Sequence, residues 1–137
     1  MQTKKTLRVG IVVGEHSGDL LGSELIKSLK NENDTDIELF GIGGPKLSEL
    51  GLKSEFDFKK INVMGLVEPL KNFRELNKLR KKLISLFEDK KIDYFIGVDS
   101  PDFNITIHKQ LKKKGHIKNI QLVSPSVWVW RQGRLKH

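Results

Sequence analysis

Apolar positions fall along this chain in two alternating rhythms. Short unbroken runs bounded by glycine or polar turns alternate with longer stretches carrying an apolar residue every three or four positions. The first pattern reads as a buried parallel strand and the second as an amphipathic helix. Leu7–Val13 is the first strand. Gly14–Asp19 turns the chain into a helix reaching about Lys30, with Leu21, Leu25, Ile26 and Leu29 on one face. Asn31–Asp36 is a polar loop, and Ile37–Ile42 a second strand ended by Gly43-Gly44-Pro45. Lys46–Leu50 is a short helix closed by Gly51. Leu52–Phe58 alternates as a weaker third strand, while Lys60–Glu68 is apolar without a clean period. Pro69–Asp89 spaces Leu70, Phe73, Leu76, Leu79, Leu83, Leu86 and Phe87 as a long helix. Its polar side carries Lys71, Arg74, Lys78, Arg80, Lys81 and Lys82. Tyr94–Val98 is a buried strand, Asp99–Asp102 a turn, Phe103–Lys114 a helix ended by Gly115, and Ile117–Val123 a fifth strand.

Strands alternating with helices predict an α/β fold, a doubly wound parallel sheet. The last strand is followed by a basic segment with no closing helix, so the chain is expected to stop inside a domain. Composition adds three limits. The net charge of +8 favours anionic partners. The lysines ride a helix without interleaved aromatics, so nucleic acid is not expected. Cysteine is absent, which fits a reducing compartment, and the apolar runs fall short of the roughly 20 residues that span a bilayer.

Candidate chemistry gathers where strands end, because open parallel sheets bind ligands beyond their carboxyl edge. The loop Gly14-Glu15-His16-Ser17-Gly18-Asp19 matches neither a dinucleotide fingerprint nor a P-loop nor a nucleophile elbow. It still opens a helix whose N–H groups attract polar ligands. Ser17 and Asp19 read equally as helix caps. Asp99 ends the Tyr94–Val98 strand and is expected at the same edge as Glu15, as a general base or as a turn-forming residue before Ser100-Pro101. Asp102 suits the first turn of its helix, and Asn104 stays open between roles. Trp128 and Trp130 with Arg131 suit a sugar, a base or a phosphate, or else close the sheet edge. The histidines are scattered, so no metal site is expected. Val63, Met64, Leu66 and Val67 beside the basic helix, with Arg74 and Lys78, suit a membrane surface or acyl chains, or else a core segment and a solvated helix face.

The strings GEHSGDLLG, GIGGPK, VMGLVE, GVDSPDFNI and SPSVWVWRQGR, in this order, resemble the lipid-A-disaccharide synthase family over nearly the whole chain. The family often has Thr at His16 and Ala at Ser100 and Val129. The resemblance implies a Rossmann-like, two-domain glycosyltransferase of the GT-B type. Residues 1–137 would be an incomplete N-terminal, acceptor-side domain, with the C-terminal UDP-sugar-binding domain absent. The implied reaction transfers 2,3-diacylglucosamine from its UDP derivative to 2,3-diacylglucosamine 1-phosphate, with inversion and without a cofactor or metal. By that analogy Asp99 is the base and Glu15 a second catalytic contributor. Ser17, Gly18, Met64, Asn104, Trp128 and Arg131 would bind substrate, while Val63, Leu66, Val67, Arg74 and Lys78 would face acyl chains and the membrane. The expected location is cytoplasmic, peripheral on the cytoplasmic face of the inner membrane. Oligomeric state is not implied. The chain alone is expected to be inactive, with a non-catalytic module for anionic lipid or phosphosugar as the alternative.

Overall fold

Strand β1 (Thr6–Val13) is the centre of the molecule: its last five residues are all buried. The computed structural model describes residues 5–33, 35–68 and 70–123. The elements in order are β1, α1 (His16–Asn33), β2 (Asp36–Ile42), α2 (Pro45–Glu49), α3 (Phe58–Val67), α4 (Phe73–Asp89), β3 (Tyr94–Val98), α5 (Pro101–Lys112) and β4 (Lys118–Leu122). The strands form one parallel sheet in the order β2-β1-β3-β4. This is the parallel α/β sheet that the pattern predicts, in the Rossmann-like arrangement that the resemblance implies. The order reverses between β1 and β3, which leaves a crevice beyond their carboxyl ends.

Side chains alternate across β1 and recruit helices to both faces. A Cβ at Gly22 of α1 would sit 3.2 Å from Ile11 Cδ1, and one at Gly10 would sit 2.8 Å from Phe87 Cε1 of α4. Odd positions of β1 therefore meet α1 and even positions meet α4. Phe87, Phe95, Leu83, Ile92, Ile107 and Leu111 close the second layer. Arg80 ties α4 to α5: its Nε donates to Phe103 O at 3.0 Å and its guanidinium lies 4.8 Å from the Phe103 ring centroid. Burial pulls this guanidinium below its ordinary pKa, and Asp102 works against the shift.

Several sequence expectations need correction. Leu52–Phe58 is not a strand: its one link to the sheet is the isolated bridge between Gly41 and Ser54. Asp57 instead accepts from Lys59 N at 3.1 Å and caps α3. The apolar stretch Lys60–Glu68 lies mostly in that helix, and its period is blurred because Ile61 is buried while Val63 is exposed. The segment predicted as a fifth strand is therefore the fourth, β4. Helix α1 runs on to Asn33, into the expected polar loop. Helix α4 starts at Phe73, and neither Leu70, at 92% exposure, nor Phe73, at 56%, joins the core. Arg80 is half-buried rather than part of a solvated basic face.

Candidate active site at the carboxyl edge of the sheet

Parallel pairing decides which residues meet at the crevice. Val13 of β1 stands opposite Val98 of β3, so Gly14-Glu15 and Asp99-Ser100 leave the sheet side by side. Helix α1 begins at His16 and α5 at Pro101, so two helix N-termini open at this edge. Their unsatisfied N–H groups and dipoles favour anionic and polar ligands there. Gly18 lets the first turn of α1 settle against β3. A Cβ at Gly18 would lie 3.0 Å from Val98 Cγ1, 3.1 Å from Val13 Cγ1 and 3.3 Å from Asp99 Oδ2.

Asp99 is 5% exposed, and its backbone is left-handed with φ 53°. Ser100 follows with φ 41°. Each such residue costs on the order of 1–3 kcal/mol and persists where its surroundings over-determine it. Here they do. Asp99 N donates to Leu122 O at 2.9 Å, and Asp99 O accepts from Asn104 Nδ2 at 3.0 Å and from Gln121 Nε2 at 2.9 Å. Ser100 Oγ and Asn104 Oδ1 are buried, and neither has a hydrogen-bond partner among the described residues.

The β1–α1 loop resolves the capping question. Asp19 N donates to Glu15 O at 3.0 Å, so Glu15 occupies the position before the helix. Its carboxylate accepts from Ser17 Oγ at a long 3.5 Å. Asp19 does not cap its own helix. Its Oδ1 accepts from Gly44 N at 2.9 Å and Leu47 N at 3.2 Å, and its Oδ2 accepts from Lys46 N at 2.9 Å. It caps α2 across the sheet edge. A Cβ at Gly44 would come within 2.7 Å of that carboxylate, which explains the glycine before Pro45. The ring of His16 meets Phe58 of α3 edge-on at 5.1 Å, bringing α3 over the first turn of α1.

A family model described as lipid-A-disaccharide synthetase matches residues 9–137. The chain belongs to the lipid-A-disaccharide synthetase family. The curated lipid-A-disaccharide synthase of Pseudoalteromonas translucida is 49% identical over 132 residues, 96% of this chain and 34% of that protein. Those of Acinetobacter baylyi and Vibrio vulnificus are 46% and 47% identical over 95% and 97% of the chain. The chain spans about a third of the length of these relatives.

Of the residues singled out from sequence, Glu15, Ser17, Gly18, Asp99 and Asn104 come together at the crevice. Met64 lies on α3, half-buried against the core, and its carbonyl accepts from Asn72 Nδ2 at 3.2 Å. Val63, at 58% exposure, joins Leu70 and Phe73 as an exposed apolar residue around the α3–α4 turn, and Arg74 and Lys78 are exposed on α4. Leu66 and Val67 belong to α3, but their side chains lie outside the described part of the chain. Trp128 and Arg131 lie outside the described residues altogether. Among those described, no group of three or more His, Cys, Asp or Glu could hold a metal ion, and no helix is long and apolar enough to cross a membrane. Sequence reasoning missed Gln121 of β4, which reaches the Asp99 carbonyl, and His108 of α5, which meets the Gln121 amide. The available signal was Gly97. A glycine inside a strand marks a close approach, and a Cβ there would lie 2.4 Å from Gln121 Oε1 and 2.9 Å from Asn104 Nδ2.

Proposed function

We propose that the protein of which this chain is part is an inverting glycosyltransferase of lipid A biosynthesis. It transfers 2,3-diacylglucosamine from its UDP derivative to the 6-hydroxyl of 2,3-diacylglucosamine 1-phosphate, giving the disaccharide 1-phosphate and UDP. The hydroxyl oxygen attacks the anomeric carbon as the bond to the UDP phosphate oxygen breaks, and the hydroxyl proton passes to a base. That base is Asp99. The observation that carries the reading is a carboxyl group buried at the switch point of the sheet on a strained, thrice-tethered backbone. Glu15 and Ser17 line the same edge, and the N-termini of α1 and α5 favour the acceptor phosphate.

Residues 1–137 form the acceptor side, and a second domain would hold UDP. The exposed Val63, Leu70 and Phe73 with Arg74 and Lys78 would rest on an anionic membrane surface, at the cytoplasmic face of the inner membrane.

The test is Asp99→Asn in the full-length protein, assayed for disaccharide formation. Removing a general base costs about 10²–10⁴-fold in turnover, while acceptor binding and circular dichroism should stay near those of the parent. Turnover within tenfold of the parent would make Asp99 a turn residue. Disaccharide synthesis by residues 1–137 alone would refute the need for a second domain.

A further inference from the structure

We propose that His108 and Gln121 form a positioning relay that aims the Asp99 carboxyl group. The inference rests on reading Asp99 as the base and extends it to two residues that touch no reacting atom. The carbonyl oxygen of Asp99 can only accept hydrogen bonds, so Gln121 must present its NH2 group to it, at 2.9 Å. The same nitrogen lies 3.4 Å from Leu122 O, the carbonyl that accepts from Asp99 N. With its nitrogen so committed, Gln121 turns Oε1 toward His108 Nε2, 2.9 Å away. An amide oxygen is an acceptor, so His108 Nε2 carries a proton. The neutral ring with its proton on Nε2 satisfies this.

The rest of the ring is held by other groups. Its edge meets Phe95 at 4.8 Å between centroids, and its Nδ1 lies 3.0 Å from the side-chain amide of Asn119, which donates to a neutral Nε2–H ring when its NH2 group faces Nδ1. Gly97 leaves the space in which the Gln121 and Asn104 amides converge on the Asp99 carbonyl. Two side-chain amides thus hold one carbonyl of a left-handed residue, and the histidine anchors the far end of one of them. Releasing that carbonyl lets the backbone leave its strained well and swings the carboxyl group off line. A shift of about 1 Å can cost on the order of a hundredfold in rate.

The experiment uses the full-length protein. Gln121→Glu keeps the acceptor for His108 but loses the donor to Asp99 O. Its kcat should fall about tenfold to a hundredfold with KM changed less than about threefold. His108→Leu should fall in the same sense, and His108→Gln, which carries an N–H where Nε2 stood, should recover most of that loss. The double variant His108→Leu/Gln121→Glu should be no slower than Gln121→Glu alone, because both changes break one chain of bonds. Additive losses, or a Gln121→Glu kcat within twofold of the parent while Asp99→Asn is inactive, would overturn the relay and leave the base assignment standing. An active Asp99→Asn would overturn the base assignment itself. Long-range 1H–15N correlation of His108 tests the relay without any turnover. A proton on Nε2 supports it, and a neutral ring protonated only at Nδ1 overturns it.

Discussion

Replacing Asp19 should unfold the sheet edge rather than merely fray a helix. Asp19 is 1% exposed and gathers three backbone N–H groups of the α2 start, from Gly44, Lys46 and Leu47. Hydrogen bonds to a charged group contribute about 1.5–3 kcal/mol each. Three would sum to more than the site can lose, because they share one carboxylate and water enters the space left by its removal. We expect Asp19→Ala to cost about 3–5 kcal/mol, and Asp19→Asn about 2–3 kcal/mol. Asparagine keeps an oxygen for Gly44 and Leu47 but turns an NH2 group toward Lys46 N, setting donor against donor. The assay is equilibrium denaturation in urea followed by far-ultraviolet circular dichroism. Neighbouring Gly44→Ala should destabilise comparably, since its Cβ would enter the same carboxylate. A loss below about 1 kcal/mol for Asp19→Ala would refute the cap as a structural support, since that is the scale of an ordinary exposed helix cap. A stable Asp19→Ala protein without turnover would assign Asp19 to the ligand instead.

Ser100→Gly removes a strained φ and a hydroxyl with no partner among the described residues. It should raise stability by about 1 kcal/mol, strain relief outweighing the added freedom of the unfolded glycine, and lower turnover of the full-length protein. A fall in melting temperature would contradict the strain argument. Arg80→Leu should destabilise by about 1–2 kcal/mol by removing the bond to Phe103 O and the contact with its ring; an unchanged urea midpoint would place Arg80 with the solvated lysines. Phe73→Asp should weaken co-sedimentation of the full-length protein with anionic vesicles about tenfold or more, since burying such a ring is worth about 1.5–3 kcal/mol. Unchanged binding would make the exposed Phe73 incidental to membrane contact.

The central strands β1 and β3 were legible because each is a dense apolar run closed by glycine or a turn, Val9–Gly14 and Tyr94–Asp99. Their adjacency followed from the βαβ logic, and with it the meeting of Glu15 and Asp99. Helix α3 was illegible for the opposite reason. Its apolar residues serve two environments, Ile61 the core and Val63 the surface, so no single period emerges. Leu70 and Phe73 extended the stripe of α4 in sequence but fall outside its packed face. Asp19 looked like a local cap because a local cap is the commonest fate of an aspartate in a first helical turn. Its real partners lie 25–28 positions away and are backbone groups, which leave no mark on residue type.

The crevice is held mainly through hydrogen bonds to the main chain of Asp99. A carboxyl group on an ordinary strand end would be free to rotate into solvent. Here the polypeptide turns left-handed at two successive non-glycine residues, and that turn is stable only while its N–H and C=O are held. The holders come from β4 and α5, elements that follow Asp99 in the chain. The geometry at the end of β3 therefore depends on the pairing of β3 with β4, where Val98 stands opposite Leu122. A substitution that weakens that pairing, far from any ligand, should loosen Asp99 before it unfolds the sheet. Position and chemistry at this edge are thus coupled through backbone hydrogen bonds, and turnover should be lost at denaturant concentrations where circular dichroism is still unchanged.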